Sequence, residues 1–327
     1  MLQSKKNKSG KWWLAVKILL AIISLWFIYR KVFNHENSKD YLLQLKSAIQ
    51  APDALLLFLV VILLMMMNWT IEAIKWKFMI LKIENISMSR SLEAVFSGLT
   101  VSFFTPNRIG EYAGRVFHLK EGKRLQATFI TIIENSSQLL VTLLTGSVAC
   151  IIYMKEYMEM NSWIFVLMRF LLLVFCVLCL ILFFNLDVFE NFFQRFRLSE
   201  KWKQIFHVFS FYSTKELIKV LLLSMTRYLI FSTQFYILLR IYGCHFPFFP
   251  CMLMIAMTFF VMAVVPTFTI AELGIRGAVS SYFFSKLTID VLPVLNATYS
   301  LWLINLVIPA LAGSIFMFHF RLEKNGK

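Results

Sequence analysis

Apolar positions along this chain fall in long unbroken runs, with little of the short alternation that marks half-buried strands. The runs lie at roughly Trp12 to Phe33, Ala51 to Met67, 127 to 153, 163 to 186, 217 to 240 and 292 to 318. A helix rises about 1.5 Å per residue, so about 20 apolar residues cross the hydrocarbon core of a bilayer. Each run therefore predicts a full transmembrane helix, six in all.

Two other apolar runs are interrupted in the same way. Residues 94 to 115 read AVFSGLTVSFFTPNRIGEYAGR, and residues 253 to 276 read LMIAMTFFVMAVVPTFTIAELGIR. Each has an apolar piece, then Pro106 or Pro266, then a glutamate, then an arginine four residues further on. The pairs Glu111/Arg115 and Glu272/Arg276 are one helical turn apart and can each close a salt bridge on one helix face. Gly110 and Gly274 lie beside the acids. Proline removes a backbone donor and glycine loosens the chain, so both stretches read as broken helices at membrane depth. They predict two re-entrant elements, 94–115 and 247–276. Two such elements entering from opposite faces are the mark of an inverted repeat, whose halves meet at a substrate site near the midplane.

Charge placement supports that topology. If both interrupted segments re-enter, most of the 33 Lys and Arg lie on one side, with both chain termini. By the positive-inside rule that side is the cytoplasm. If the first segment crossed instead, RIGEYAGRVFHLKEGKR would face outward and the acidic KEYME loop inward.

Composition fixes the class. Hydrophobic residues make up 59% of the 327 and charged residues 16%, with a mean hydropathy of +0.71. The expectation is an all-α polytopic membrane protein with a single membrane domain over 1–327, in the cytoplasmic membrane. The net charge of +15 is spread over short loops, which suits anionic lipid headgroups and not nucleic acid. No cofactor is expected: there is no G-x-x-x-x-G-K-[ST] element. Cys176 and Cys179 make a C-x-x-C within an apolar run with no second pair, and read as small buried hydrophobes, with no metal.

Charges at membrane depth mark a pathway or a binding site by default. The candidates for headgroup binding or transport are Arg108, Glu111, Arg115, Glu134, Arg227, Glu272 and Arg276. Arginine suits phosphate because its planar fork donates two parallel hydrogen bonds. A neighbouring glutamate can hold the fork or carry a proton. Read structurally, the two Glu/Arg pairs would only pin broken helices, and Glu134 with its polar neighbours would be interhelical glue. Glu72, Lys75 and Lys77 flank tryptophans and read as an interfacial belt. Asn296 and Asn305 read as packing contacts, and Arg169 as snorkelling from a helix end.

With PNRIGEYAGR, AELGIRGA and ENSSQLL in view, the chain resembles the flippase-like family named after the transmembrane region of lysylphosphatidylglycerol synthase. Its second element departs from the glycine-rich form expected there, with Thr267, Phe268 and Thr269 in place of glycines. The resemblance implies lipid handling, since in the full-length synthases this region moves the aminoacylated lipid between leaflets. Aminoacyl transfer there belongs to a soluble domain that is expected to be absent here, so no enzyme activity of that kind is expected. The leading expectation is a protein that binds or translocates an anionic phospholipid or a polyprenyl-phosphate-linked glycolipid. Two rivals stay open: a membrane-embedded lipid-phosphate phosphatase or transferase, and a non-catalytic subunit of an envelope-assembly machine. Membrane lipids are the expected partners, with a homo-oligomer or envelope-biosynthesis proteins as further ones.

Overall fold

Polar residues at one-turn spacing mark the face of the first described helix that turns inward. In α1 (Ala54–Ile80) Asn68, Glu72 and Lys75 lie on one face and are buried, while Leu55, Leu59, Leu63 and Met66 are exposed. The computed structural model describes residues 53–325, apart from 104, 106–107, 196–199 and 266–268. The expected first span, Pro106, Pro266, Thr267 and Phe268 lie outside the described residues.

After α1 come α2 (Met88–Ser102) and the short α3 (Gly110–Val116), separated by the break. The hydroxyl of Thr105 accepts the N–H of Gly110 at 2.7 Å and donates to the carbonyl of Ser102 at 3.2 Å. A threonine thus takes up backbone groups that the missing turn leaves free. Then follow α4 (Arg124–Tyr157), α5 (Ser162–Phe184), and two short helices, α6 (Asp187–Gln194) and α7 (Glu200–Phe206). The second half has α8 (Thr214–Ile241), α9 (Phe248–Val264), α10 (Thr269–Phe284) and α11 (Leu292–Trp302). A π turn, Leu303–Val307, leads into α12 (Ile308–Asn325).

The described residues form helices with no strand. Five of them are long and apolar enough to cross a membrane: Ala54–Ile80, Glu121–Tyr157, Ser162–Phe184, Thr214–Ile241 and Leu292–Phe316. This is an all-α polytopic membrane protein. Helix α5 has a single buried residue, Phe183, and packs mainly on α4; Arg169 on it is exposed.

The halves repeat one order: a long helix, a short helix, a break, a shorter helix and a long helix. Their packing is reciprocal. The leading helices α1 and α8 pack on each other, α2 packs on α12, and α9 packs on α4. Glycine serves the same purpose at both exchanged crossings. A Cβ on Gly313 would lie 2.1 Å from the carbonyl oxygen of Phe96, and one on Gly146 would lie 2.3 Å from the ring of Phe260. Small residues at such crossings let helices approach closely in lipid. The exchange is the pattern that two repeats related by a two-fold axis produce.

One expectation is corrected by this fold. Glu72 and Lys75 are not an interfacial belt: they are 2% and 0% exposed, deep in the bundle. Helix α1 continues past Met67 without interruption to Ile80, so the tryptophans that suggested the membrane surface face the interior. Trp76 is fully buried and its indole donates to Thr131 at 3.1 Å.

Candidate functional site

The flagged charges fall into two clusters. The first is buried and joins four helices. Arg115 of α3 donates to Glu134 of α4 at 3.0 Å, to Glu72 of α1 at 2.5 Å and to Glu111 one turn back on its own helix. Lys75 lies 3.0 Å from Glu72 and 2.9 Å from Glu134, and donates to Ser224 of α8 at 3.2 Å. Arg227 of α8 completes the cluster through Glu72. Three carboxylates thus face three cations: Glu72, Glu111 and Glu134 against Lys75, Arg115 and Arg227. Charges this deep are tolerated only when paired and hydrogen-bonded.

The second cluster is smaller and unbalanced. Glu272 of α10 accepts from Arg276 through Nε at 2.9 Å and Nη2 at 2.5 Å, and from Arg108 at 3.2 Å. One carboxylate meets two guanidiniums. Arg108 lies on the break before α3, so this bond links the first element to the second. Its φ is +57°, the left-handed region that residues other than glycine rarely occupy. Such strain persists where surrounding structure holds it and clusters at ligand sites.

Between the clusters lies a cavity of about 270 Å³. Arg108, Arg227 and Arg276 line it, with Asn68, Gln138, Thr142 and Asn305 among its uncharged polar groups. Trp69, Tyr228, Phe231, Phe259 and Trp302 supply aromatic walls. The lining among the described residues includes no Asp, Glu, His or Cys. Each arginine is held on one side by a carboxylate. Arg227 also donates Nε to Asn68 at 3.0 Å and Nη1 to Gln138 at 3.4 Å, and its guanidinium lies 5.6 Å from the ring centre of Trp69. A guanidinium has five N–H donors in a fixed fork, so donors remain on each for a bound anion.

The structure therefore brings Arg108, Arg227 and Arg276 together at the cavity, with Glu272 directly behind. It does not bring Arg115 or Glu134 to it, since both are 0% exposed inside the first cluster. Glu111 is a partner of Arg115 and is not among the lining residues. A phosphatase could draw on the histidine and the serine nearest to the two glutamates in sequence, His118 and Ser280, but neither lines the cavity. His118 meets Ser97 at 2.9 Å, and Ser280 donates to the carbonyl of its own helix at Arg276.

Sequence reasoning missed Glu72 and Lys75 as members of the buried cluster. The spacing of Asn68, Glu72 and Lys75 on one face of α1 was the signal that could have found them. It took Asn305 of the π turn for a packing contact, whereas that residue lines the cavity. Such turns inside helices are frequent at functional sites.

No curated protein and no solved structure matches the chain. The model of the family described as the lysylphosphatidylglycerol synthase TM region does, over residues 12–313. The chain belongs to that family, and is an integral membrane protein related to lipid handling.

Proposed function

We propose that this protein carries a lipid with an anionic headgroup between the leaflets of the cytoplasmic membrane, both termini being cytoplasmic. In this reading the two broken-helix segments are re-entrant, the headgroup enters the arginine-lined cavity where the halves meet, and the acyl chains stay in lipid. The observation that carries it is the convergence of Arg108, Arg227 and Arg276 on one cavity between the repeats. Transporters built from inverted repeats bind substrate there. Arginine forks recognise phosphate, and aromatic walls can pack against the carbon skeleton of a headgroup.

Anion affinity follows from the charge balance. The first cluster is neutral and the second has one cation in excess, so an anion entering beside Arg108 and Arg276 replaces water without displacing Glu272. Carriage is favoured over bond cleavage, because the described lining offers no carboxylate, imidazole or thiol to act as base or nucleophile.

The test is leaflet exchange of labelled anionic lipids in proteoliposomes, comparing wild type with Arg227→Gln and Arg276→Gln. Both substitutions leave their carboxylate partners with other cations, so the variants should fold, and folding is checked first. Each should slow exchange by about tenfold or more, the size of a lost charge-assisted hydrogen bond. No exchange of any anionic or polyprenyl lipid, with release of inorganic phosphate from a polyprenyl diphosphate, would transfer the assignment to the enzyme class.

A further inference from the structure

Resting on that reading, we infer that the cargo headgroup is a phosphate bearing one small hydroxylic group, a glycerol-sized polyol or a single sugar ring, and carries no amine. Three observations lead there. The first is charge. The cavity presents Arg108, Arg227 and Arg276 with no carboxylate among its described lining residues. The carboxylates behind them are already engaged: Glu272 by two arginines, Glu72 by Lys75, Arg115 and Arg227. A lysyl ester on the same headgroup would bring two ammonium groups against three guanidiniums, with no free acid to receive them. Like charges brought together in a poorly solvated site exclude a partner more strongly than missing contacts do.

The second observation is unused hydrogen-bonding capacity in the lining. The Oδ1 of Asn305 and the indole N–H groups of Trp69 and Trp302 are buried and have no hydrogen-bond partner among the described residues. All three residues line the cavity and are less than a tenth exposed. Buried polar groups are almost always paired, so three unpaired ones on residues of one cavity wall fit a ligand that reaches them with both donors and acceptors. A phosphate alone only accepts. A hydroxyl does both, and can satisfy the amide oxygen of Asn305 while accepting from an indole.

The third is size. A cavity of about 270 Å³ equals the space of about nine liquid water molecules. That holds a phosphate with one small polyol or one ring, and an oligosaccharide would have to leave most of its rings outside the cavity.

The experiment uses the full chain and two readouts. Binding of short-chain lipids is measured in detergent, and exchange of long-chain labelled lipids in proteoliposomes. The probes are phosphatidylglycerol, its lysyl ester, phosphatidic acid, a polyprenyl-phosphate monosaccharide and the same polyprenyl phosphate bearing an oligosaccharide. The expected result is that phosphatidylglycerol or the monosaccharide lipid binds about tenfold or more tightly than the lysyl ester and the oligosaccharide lipid. Both should also bind more tightly than phosphatidic acid, and Asn305→Leu should erase that preference by weakening the hydroxyl-bearing lipid more than phosphatidic acid. Whichever of the two small-headgroup lipids binds better distinguishes a glycerophospholipid from a polyprenyl source. Selective binding without exchange would uphold this inference and sink the transport reading. Equal or tighter binding of the lysyl ester, or binding of none of the probes, would overturn the inference.

Discussion

Arg108 on the break of the first element reaches Glu272 on the second at 3.2 Å, from a backbone held at a φ of +57°. The bond crosses between the two halves at the cavity that both of them line. The Arg108 side chain is 40% exposed, so the ion pair contributes about 0–1 kcal/mol. The left-handed backbone costs roughly 1–2 kcal/mol in a residue with a Cβ. Replacing the arginine by glycine removes both terms.

Arg108→Gly should therefore leave thermal stability in detergent within about 1 kcal/mol of wild type, while lipid exchange falls by about tenfold or more. A variant that unfolds several degrees earlier, with exchange lowered only in proportion to the folded fraction, would make the bond a structural latch instead.

The buried cluster behaves in the opposite way. Arg115 is 0% exposed and holds three carboxylates, whereas Glu111 keeps 16% of its side-chain surface exposed. Arg115→Met leaves buried acids uncompensated and should cost about 3–5 kcal/mol. Glu111→Gln should cost much less. Adding Glu134→Gln to Arg115→Met should return part of the loss, because the second change removes one of the stranded charges. Urea or thermal unfolding of wild type, these three variants and Glu134→Gln alone in one detergent measures the order, and additive losses for Arg115→Met and Glu134→Gln would show that the cluster is not coupled.

Much of this plan is legible in the sequence, for a physical reason: a bilayer demands about 20 apolar residues per crossing, and such runs stand out. The breaks are legible too, because Arg108, Glu111, Glu272 and Arg276 are charges where lipid tolerates few. What the residues do not announce is which buried face meets which. Helix α1 is apolar on most of its circumference, so Leu55 and Ala54 look alike although only Ala54 is buried. Glu72 and Lys75 lie between tryptophans, and only the contacts with Glu134 and Arg115 reveal them as interior. Asn305 reaches the cavity from a π turn, whose altered register has no signature in the pattern of apolar residues.

The crossing of α2 and α3 gives a packing prediction. A Cβ on Gly114 would lie 2.6 Å from the Cα of Gly98 and from the carbonyl oxygen of Ser97, both backbone atoms that a rotamer change cannot move. Gly114→Ala should cost about 1–3 kcal/mol as overpacking. Gly122, with nothing within 4 Å of an added Cβ, is the control: Gly122→Ala should stay within about 0.5 kcal/mol. Equal thermal unfolding of the two variants would mean that α2 and α3 do not touch as described.

A pH dependence follows from His118, which lies after α3 and outside the spanning helices. Burial, with a smaller contribution from the positive charge of Arg90, pushes its imidazole from 6.5 down to about 4. Facing it are Ser97, at 2.9 Å from Nε2, and the carboxylate of Glu93, 4.0 Å from Nδ1. Because the folded value lies below the unfolded one, the unfolded chain takes the proton first as pH falls. Stability from the neutral ring is complete above about pH 6.5 and declines towards about pH 4. His118→Gln keeps a polar group opposite Ser97 and cannot titrate. Its unfolding temperature should fall less steeply than that of wild type between those two pH values, with the curves differing most at the acid end. Parallel curves across that window would mean that His118 is charged in the folded protein, with Glu93 outweighing burial.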